Sequence, residues 1–279
     1  MIRVEAVRTK EQLASFIDFP HSLYKDDKNY VPELFIAQRD LLTPGKHPFH
    51  EHSKIQPFLL YEDSAIKGRI AAILNKNHNE FNKVNEGFFG FFDCVDNQDF
   101  ANRLFEEARK WLHANGAVNM IGPVNPSTNE HCGLLIEGFD RPPVVMMTYN
   151  KPYYIRLIEQ AGFKKKIDLL AYHIETESAD ERSIRLQSAL LERLRKKNIT
   201  IRPINPKDFY NEVSKVKEVY NSAWDRNLGF VPMTDAEFKY MAKDMKLILD
   251  PKLCLVAEHE GRMVGFALAI PDLNQALSR

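Results

Sequence analysis

The stretch "HPFHEH" sets His47, His50, Glu51 and His52 within six consecutive positions, and imidazoles beside a carboxylate are donors that zinc and similar metals take. The spacing is not that of a helical His-Glu-x-x-His site, and Pro48 speaks for a loop. A solvated or hydrogen-bonded loop is therefore expected, no metal is assigned, and a metal-dependent hydrolase using the His47–His52 loop is kept only as a remote alternative.

A denser polar set follows in "NPSTNEHC", where Asn125, Ser127, Thr128, Asn129, Glu130, His131 and Cys132 lie between apolar flanks. Such a concentration suits ligand recognition. His131 and Cys132 are the types of a nucleophile and its base, but neighbours on an extended segment face opposite ways, which argues against that pairing. Residues 122–149 are irregular yet apolar, which reads as an ordered pocket rim or lid, or a brace between domains, with Asn125, Ser127 and Asn129 as candidate substrate contacts. No G-x-S-x-G elbow, Walker loop or dinucleotide fingerprint is present.

Composition narrows the field. Lys plus Arg and Asp plus Glu both number 38 in 279 residues, so the formal net charge is zero and nothing argues for a nucleic-acid surface or a polybasic membrane anchor. Cys94, Cys132 and Cys254 are scattered, with no C-x-x-C pair, which fits a reducing compartment and small buried hydrophobes. The start "MIRVEAVRTK" lacks an apolar signal stretch, and no run approaches the roughly 18 apolar residues of a membrane span. A soluble, cytoplasmic protein with no nucleic-acid or membrane partner is expected.

The elements that must position these residues are legible from periodicity. "IRVEAV" alternates as a strand, Thr9 can cap the helix beginning "KEQLASFIDF", and Pro20 is expected to break or bend it. "PFLLYEDSAIKGRIAAIL" reads as two strands on a tight turn, "GFFGFFDCV" as a central strand, and "DFANRLFEEARKWLHANG" as an amphipathic helix closed by Gly116. "VNMIGPV" is a further short strand. In "NKPYYIRLIEQAGF" an apolar face recurs at helical spacing up to the Gly162 terminator, and "IDLLAYHI" after it is expected to be a strand. The charged amphipathic stretch 177–198 is expected to be a helical connector.

An internal repeat crosses that connector. "YKDDKNYVP" from Tyr24 recurs as "WDRNLGFVP" from Trp224, and "YEDSAIKGRIAAI" from Tyr61 recurs as "AEHEGRMVGFALAI" from Ala257, in the same order relative to a strand and a helical segment.

The repeated unit, the strand–helix step over 93–112 and the "LIEQAGF" ending together resemble the GCN5-related N-acetyltransferase superfamily, and the whole chain resembles bacterial tandem acetyltransferase-like proteins. The resemblance implies an α/β (α+β) fold, an acyl-CoA N-acyltransferase-like mixed twisted sheet flanked by helices, duplicated with the second copy incomplete. Residues 1–176 would be the first domain, 177–198 the connector, and 199–279 the first half of a second domain. The implied activity is acyl transfer from acetyl-CoA or another acyl-CoA to a small-molecule amine; a non-catalytic binding or interaction module retaining the fold is the alternative.

Set against the family, the first domain departs at two places. Its cofactor loop, "CVDNQDFANRLF", has no glycine and puts Asp96 and Asp99 where a pyrophosphate should sit. The position of the usual tyrosine acid holds Ile158; Tyr153 and Tyr154 lie a turn earlier. The splay of the central strand, where the resemblance places the cofactor, falls at Phe91, Phe92 and Asp93. In the second copy Trp224, Asp225, Arg226 and Phe230 fall where the family shapes its acceptor pocket, against a plainer role for Trp224 and Phe230 in the core. The apolar edge strand at 263–270 calls for a cover, by self-association or by a missing C-terminal segment.

Overall fold

A computed structural model describes residues 1–175, 181–227 and 229–277, which fall into two compact units. The first comprises Met1–Lys166, Asn227–Glu237 and the described residues from Asp272 onward; the second comprises Ile167–Arg226 and Phe238–Pro271. The expected boundary between 176 and 177, and the first residues of the connector, lie outside the described residues.

In unit 1 the order is β1 (Ile2–Ala6), α1 (Lys10–Leu23), α2 (Phe35–Leu42), β2 (Lys54–Glu62), β3 (Ala65–Leu74), α3 (Lys76–Asn82), β4 (Glu86–Cys94), α4 (Gln98–Ala114), β5 (Asn119–Ile121), β6 (Val124–Asn125), β7 (His131–Cys132) and α5 (Tyr154–Gln160). One sheet runs β1-β2-β3-β4-β5, antiparallel as far as β4 and parallel between β4 and β5. This is a mixed sheet flanked by helices, as the sequence resemblance implied. Its middle strands are apolar at nearly every position because both faces are covered. Leu60, Ile70, Ala72 and Phe89 pack with Leu104, Phe105 and Leu112 of α4 and Leu157 of α5. Leu59, Ala71, Ile73 and Phe88 pack with Phe16 and Ile17 of α1 and Leu42 of α2.

The caps follow the sequence. Thr9 and Gln12 form a reciprocal capping box at α1, Asn97 accepts from the Phe100 amide at α4, and Gly162 ends α5 at φ +92°. Two expectations are corrected. The helix does not break at Pro20, which lies inside α1. Proline cannot donate to the carbonyl of Phe16, but the Arg69 guanidinium does so instead at 2.8 Å, so the freed acceptor is satisfied and the turn survives. Residues 167–174 form no strand: a strand needs partner backbone groups, none pairs with this segment among the described residues, and Leu170, Tyr172 and Ile174 are exposed.

Two irregularities shape β4. Against β3 the register slips between the pairs Ala71↔Gly90 and Arg69↔Asp93, so that Ile70 faces both Phe91 and Phe92, with Phe91 at φ +49°. Against β5 the pairing ends at Phe88↔Ile121. Beyond that point the chain returns alongside β4, and the Asn125 side chain accepts the Phe91 N–H at 2.7 Å. Gly90 permits the approach: a Cβ there would stand 1.9 Å from the Val124 carbonyl oxygen.

Unit 2 contains α6 (Glu181–Lys196), β8 (Ile199–Pro203), α7 (Phe209–Ala223), most of α8 (Asp235–Met245), β9 (Cys254–His259) and β10 (Arg262–Leu268), with the antiparallel sheet order β10-β9-β8. Strand, two helices and hairpin repeat the order β1-α1-α2-β2-β3, each element beginning about 200 residues after its counterpart. The far edge of β10 has no partner among the described residues. The short α9 (Asn274–Leu277) counts with unit 1.

Gly90→Ala is expected to cost about 3 kcal/mol or more, because the added methyl meets backbone rather than a flexible side chain. Urea unfolding of the two proteins measures it, and an unchanged midpoint would mean that β6 does not pack against β4 as described.

Candidate functional site

Asp93 stands just past the bulge of β4, buried, and collects three donors. Arg69 Nε donates to Oδ2 at 2.8 Å, while the Tyr24 and Tyr154 hydroxyls donate to Oδ1 at 3.1 and 3.0 Å. Burial raises the Asp93 carboxyl above its ordinary value, and the Arg69 guanidinium opposes this. Burial likewise holds the phenols of Tyr24 and Tyr154 far above theirs, so both keep their protons. Tyr154 also accepts the Cys94 N–H at 3.0 Å, and the Tyr153 hydroxyl donates to the Cys94 carbonyl at 2.8 Å. Neither tyrosine is a free proton donor, and Ile158 is buried in the core.

Around this knot lies an aromatic and ionisable shell built by the end of α1, the start of α2 and the segment between them. Tyr30 stacks on Tyr24 at 4.4 Å, and His21 stacks on Phe35 at 4.4 Å. Burial raises the Tyr30 phenol, with Asp93, Arg69 and Glu33 all close enough to act on it. Glu33 Oε1 is 3.2 Å from His131 Nδ1, and Gln38 Nε2 donates to Glu33 Oε2 at 2.6 Å. The pair is open to solvent, its side chains 43% and 31% exposed. The hydrogen bond to Glu33 raises His131 against the effect of burial. Lys151 and Tyr149 both bond Asp27, at 2.8 and 2.9 Å, and Asn29 donates to the Phe139 carbonyl at 2.9 Å, which ties the 24–30 turn to the irregular 133–151 segment.

Of the residues singled out from sequence, Phe91, Phe92 and Asp93 lie together on β4, and Asn125 joins them through the Phe91 amide. Ser127 is buried beside Glu130, its hydroxyl 3.4 Å from the carboxylate, and Asn129 donates to the Val231 carbonyl at 3.1 Å. Phe230, in the part of unit 1 supplied by 227–237, packs edge-on against Phe81 at 5.6 Å. Trp224, Asp225 and Arg226 belong to unit 2; Trp224 is half exposed and stacks on Tyr220. His131 and Cys132 do face opposite ways, the imidazole to Glu33 and the thiol into the core.

Sequence reasoning passed over Tyr24, Tyr30, Glu33, Gln38 and Arg69 as site residues. The signal was in the repeat: Tyr24 and Tyr30 occupy the positions matched by Trp224 and Phe230.

The histidines of 47–52 are committed elsewhere. His47 Nδ1 accepts from the Phe49 amide, His50 Nε2 meets the Leu41 carbonyl at 2.8 Å, and His52 bonds Ser53 at 2.6 Å and Glu237 at 2.9 Å. Among the described residues no group of three or more His, Cys, Asp or Glu side chains could hold a metal ion. Glu237 sits near Glu130, whose carboxyl is pushed up to about 8 by burial and then by the Glu237 charge. Glu237 itself stays below its ordinary value because the His52 and Thr234 hydrogen bonds outweigh its burial.

Two curated relatives match nearly the whole chain. It is 37% identical over 275 residues to Protein YghO of Escherichia coli (strain K12), covering 99% of this chain and 70% of that protein. It is 33% identical over 278 residues to the bacterial ceramide synthase of Caulobacter vibrioides (strain NA1000 / CB15N), covering 99% of this chain and 72% of that protein. The chain belongs to their family. No family model matches it. Among solved structures, a tandem GNAT protein from the clavulanic acid biosynthesis pathway aligns over 95% of this chain and 73% of its own length, at 9% identity and a TM-score of 0.46. An aminoglycoside acetyltransferase from an uncultured soil metagenomic sample aligns over 62% and 97%, at 9% identity and 0.39.

The acyl-CoA that the sequence resemblance implies can be tried against the residues of unit 1, and they do not fit it. At the start of α4 the Asn97 side chain already caps a backbone amide, Asp99 pairs with Arg103 in the first turn, and Asp96 is held by Arg156. The space beside β4 past the end of β5 holds the Val124 carbonyl and the Asn125 side chain. Among the described residues no helix is long and apolar enough to cross a membrane.

Glu130 supplies a pH test. Its folded value, about 8, lies above the ordinary carboxyl value of 4.5, so between those limits the folded state holds the extra proton and stability falls as pH rises. Glu130→Gln keeps the shape without the charge. Its melting temperature should match the parent's near pH 4 and exceed it increasingly toward pH 8; an identical pH profile for the two proteins would contradict the shift.

Proposed function

We propose that the protein acts in N-acyl transfer, joining an acyl group to a long-chain amine, and that unit 1 holds the amine. The observation that carries this reading is 33% identity, along 99% of the chain, to a protein named for making ceramide, which is chemically the amide of a long-chain amino alcohol. The superfamily's donor is an acyl-CoA. The capped start of α4 and the filled gap beside β4 lead us to give unit 1 no part in holding that donor.

An amine reaches neutral water as an ammonium ion and must lose a proton before it can attack. His131 is the group we assign to take it. Its Nδ1–H donates to Glu33, which leaves Nε2 with the lone pair and orients the ring. Gln38 fixes Glu33 from the other side, and the exposure of the pair lets a small molecule reach it. Glu33 also favours the imidazolium once the proton has arrived, which is what a base of this kind requires.

The second reading, a non-catalytic module that has kept the fold, is favoured by the same filled gap beside β4. His131 separates the two. The protein, given a long-chain amino alcohol and palmitoyl-CoA, is expected to form the amide detectable by mass spectrometry. His131→Gln is expected to lower turnover by about 10²- to 10⁴-fold with the fold intact. Turnover unchanged in that variant would remove His131 from the chemistry, and no product from the parent would favour the binding module.

A further inference from the structure

The helix α6 carries a segregated apolar face that stands open to solvent. At about 100° per residue, Leu186, Leu190, Leu194, Leu191 and Ile184 share an arc of about 160°, interrupted by Ser183 and Gln187 alone. No residue of the helix is buried, and Ile184, Leu186, Leu190 and Leu191 are 57%, 58%, 47% and 36% exposed. Helices in proteins draw most of their stability from packing such a face rather than from propensity. Isolated exposed apolar residues need no explanation, but four gathered on one face do. The extended segment before α6, in the same unit, leaves Leu169, Leu170, Tyr172 and Ile174 exposed as well.

The rest of the circumference is basic. Arg182, Arg185, Arg193, Arg195 and Lys196 stand against Glu181 and Glu192, a net charge of +3, and Lys196 lies 2.8 Å from Glu192. Two of the arginines border the apolar arc, Arg193 within about 20° of Leu186 and Arg195 within about 20° of Ile184. Long basic side chains at such borders lay their methylenes along an apolar layer and keep their charge in a polar one. The zero net charge of the whole chain, from which no membrane partner was expected, conceals this local excess.

We infer that α6 docks unit 2 on the surface of an anionic lipid bilayer, lying in the plane of the interface with its apolar face against the acyl chains. Charge complementarity selects this occupant. A second copy would bring basic border against basic border in either orientation, whereas paired helices set opposite charges there, and the arc is wider than the narrow seam of a coiled coil. An anionic headgroup layer attracts every basic residue of the helix, and fluid acyl chains fit an apolar face without a matching groove. The helix lies on the bilayer and does not cross it, since among the described residues no helix is long and apolar enough to do so. The inference stands independently of the acyl-transfer reading.

The test is sedimentation of the 279-residue protein with vesicles of phosphatidylcholine alone and of phosphatidylcholine with an equal part of phosphatidylglycerol. At about 50 mM salt the anionic vesicles are expected to bind about 10-fold more tightly or better, and at about 500 mM salt the preference should vanish. Leu190→Glu puts a charge in the centre of the apolar face at an exposed position; it should abolish binding while circular dichroism shows the fold retained. Val118→Glu, at a residue 74% exposed outside α6, should bind as the parent does. Equal binding to the two vesicles would overturn the inference, as would binding that survives Leu190→Glu. Binding to neither would also overturn it, and self-association lost in Leu190→Glu would then give the face to a second copy. The comparison of the two vesicles on the parent protein decides the matter even if the variant fails to fold.

Discussion

One buried carboxylate organises unit 1. Asp93 accepts from Arg69 on β3, from Tyr24 immediately after α1 and from Tyr154 on α5, and Arg69 reaches on to the Phe16 carbonyl that Pro20 leaves without a donor. A buried ion pair adds little net stability, because desolvation offsets most of its attraction, but losing one partner costs about 3–5 kcal/mol. Such a pair therefore acts more as a register than as glue. The bulge decides which face the register serves. Before it Phe88 faces α1 and Phe89 faces α4; after it Phe91 faces α1 and Phe92 faces α4, so the slip carries Asp93 to the α1 side, opposite Arg69. With unbroken alternation from Phe88, Asp93 would instead point among the phenylalanines under α4, away from Arg69.

The same bulge decides what the backbone of β4 can offer. The Phe91 N–H is spent on Asn125, and Gly90 lets the Val124 carbonyl close in from the same side. A ligand could compete only by displacing internal hydrogen bonds and backbone contact. At the start of α4 the exposed first-turn carboxylate of Asp99, paired with Arg103, complements the helix dipole. On the α1–α2 side, Glu33 and His131 remain open to solvent.

Much of this fold was legible because alternation, capping and glycine termination are local. Thr9, Asn97 and Gly162 do what their types dictate. Pro20 was not legible, since its effect depends on an arginine from another strand, nor was the absence of a strand over 167–174, since strand formation is decided by a partner rather than by the segment. At the site, the bulge region around Asp93 was found through family order, and the opposite facing of His131 and Cys132 through simple geometry. Arg69 was hidden in a hairpin whose other charges are solvated, and Glu33 lies far from His131 along the chain, so only the fold unites them.

The repeat carries the remaining lesson. Each copy places an aromatic residue at the end of its first helix and another before a Val-Pro step: Tyr24 and Tyr30, then Trp224 and Phe230. In the first copy both are phenols: the Tyr24 hydroxyl donates to Asp93, and burial holds both Tyr24 and Tyr30 in their protonated form. In the second copy Trp224 carries an indole N–H and no phenol, and Phe230 carries no side-chain donor at all; Phe230 is packed against Phe81 and its carbonyl is bonded by Asn82. The same local pattern thus yields a polar site in one copy and a packing anchor in the other. The difference is two hydroxyl groups and the acid that one of them bonds, which is why resemblance between the copies predicts their backbone far better than their chemistry.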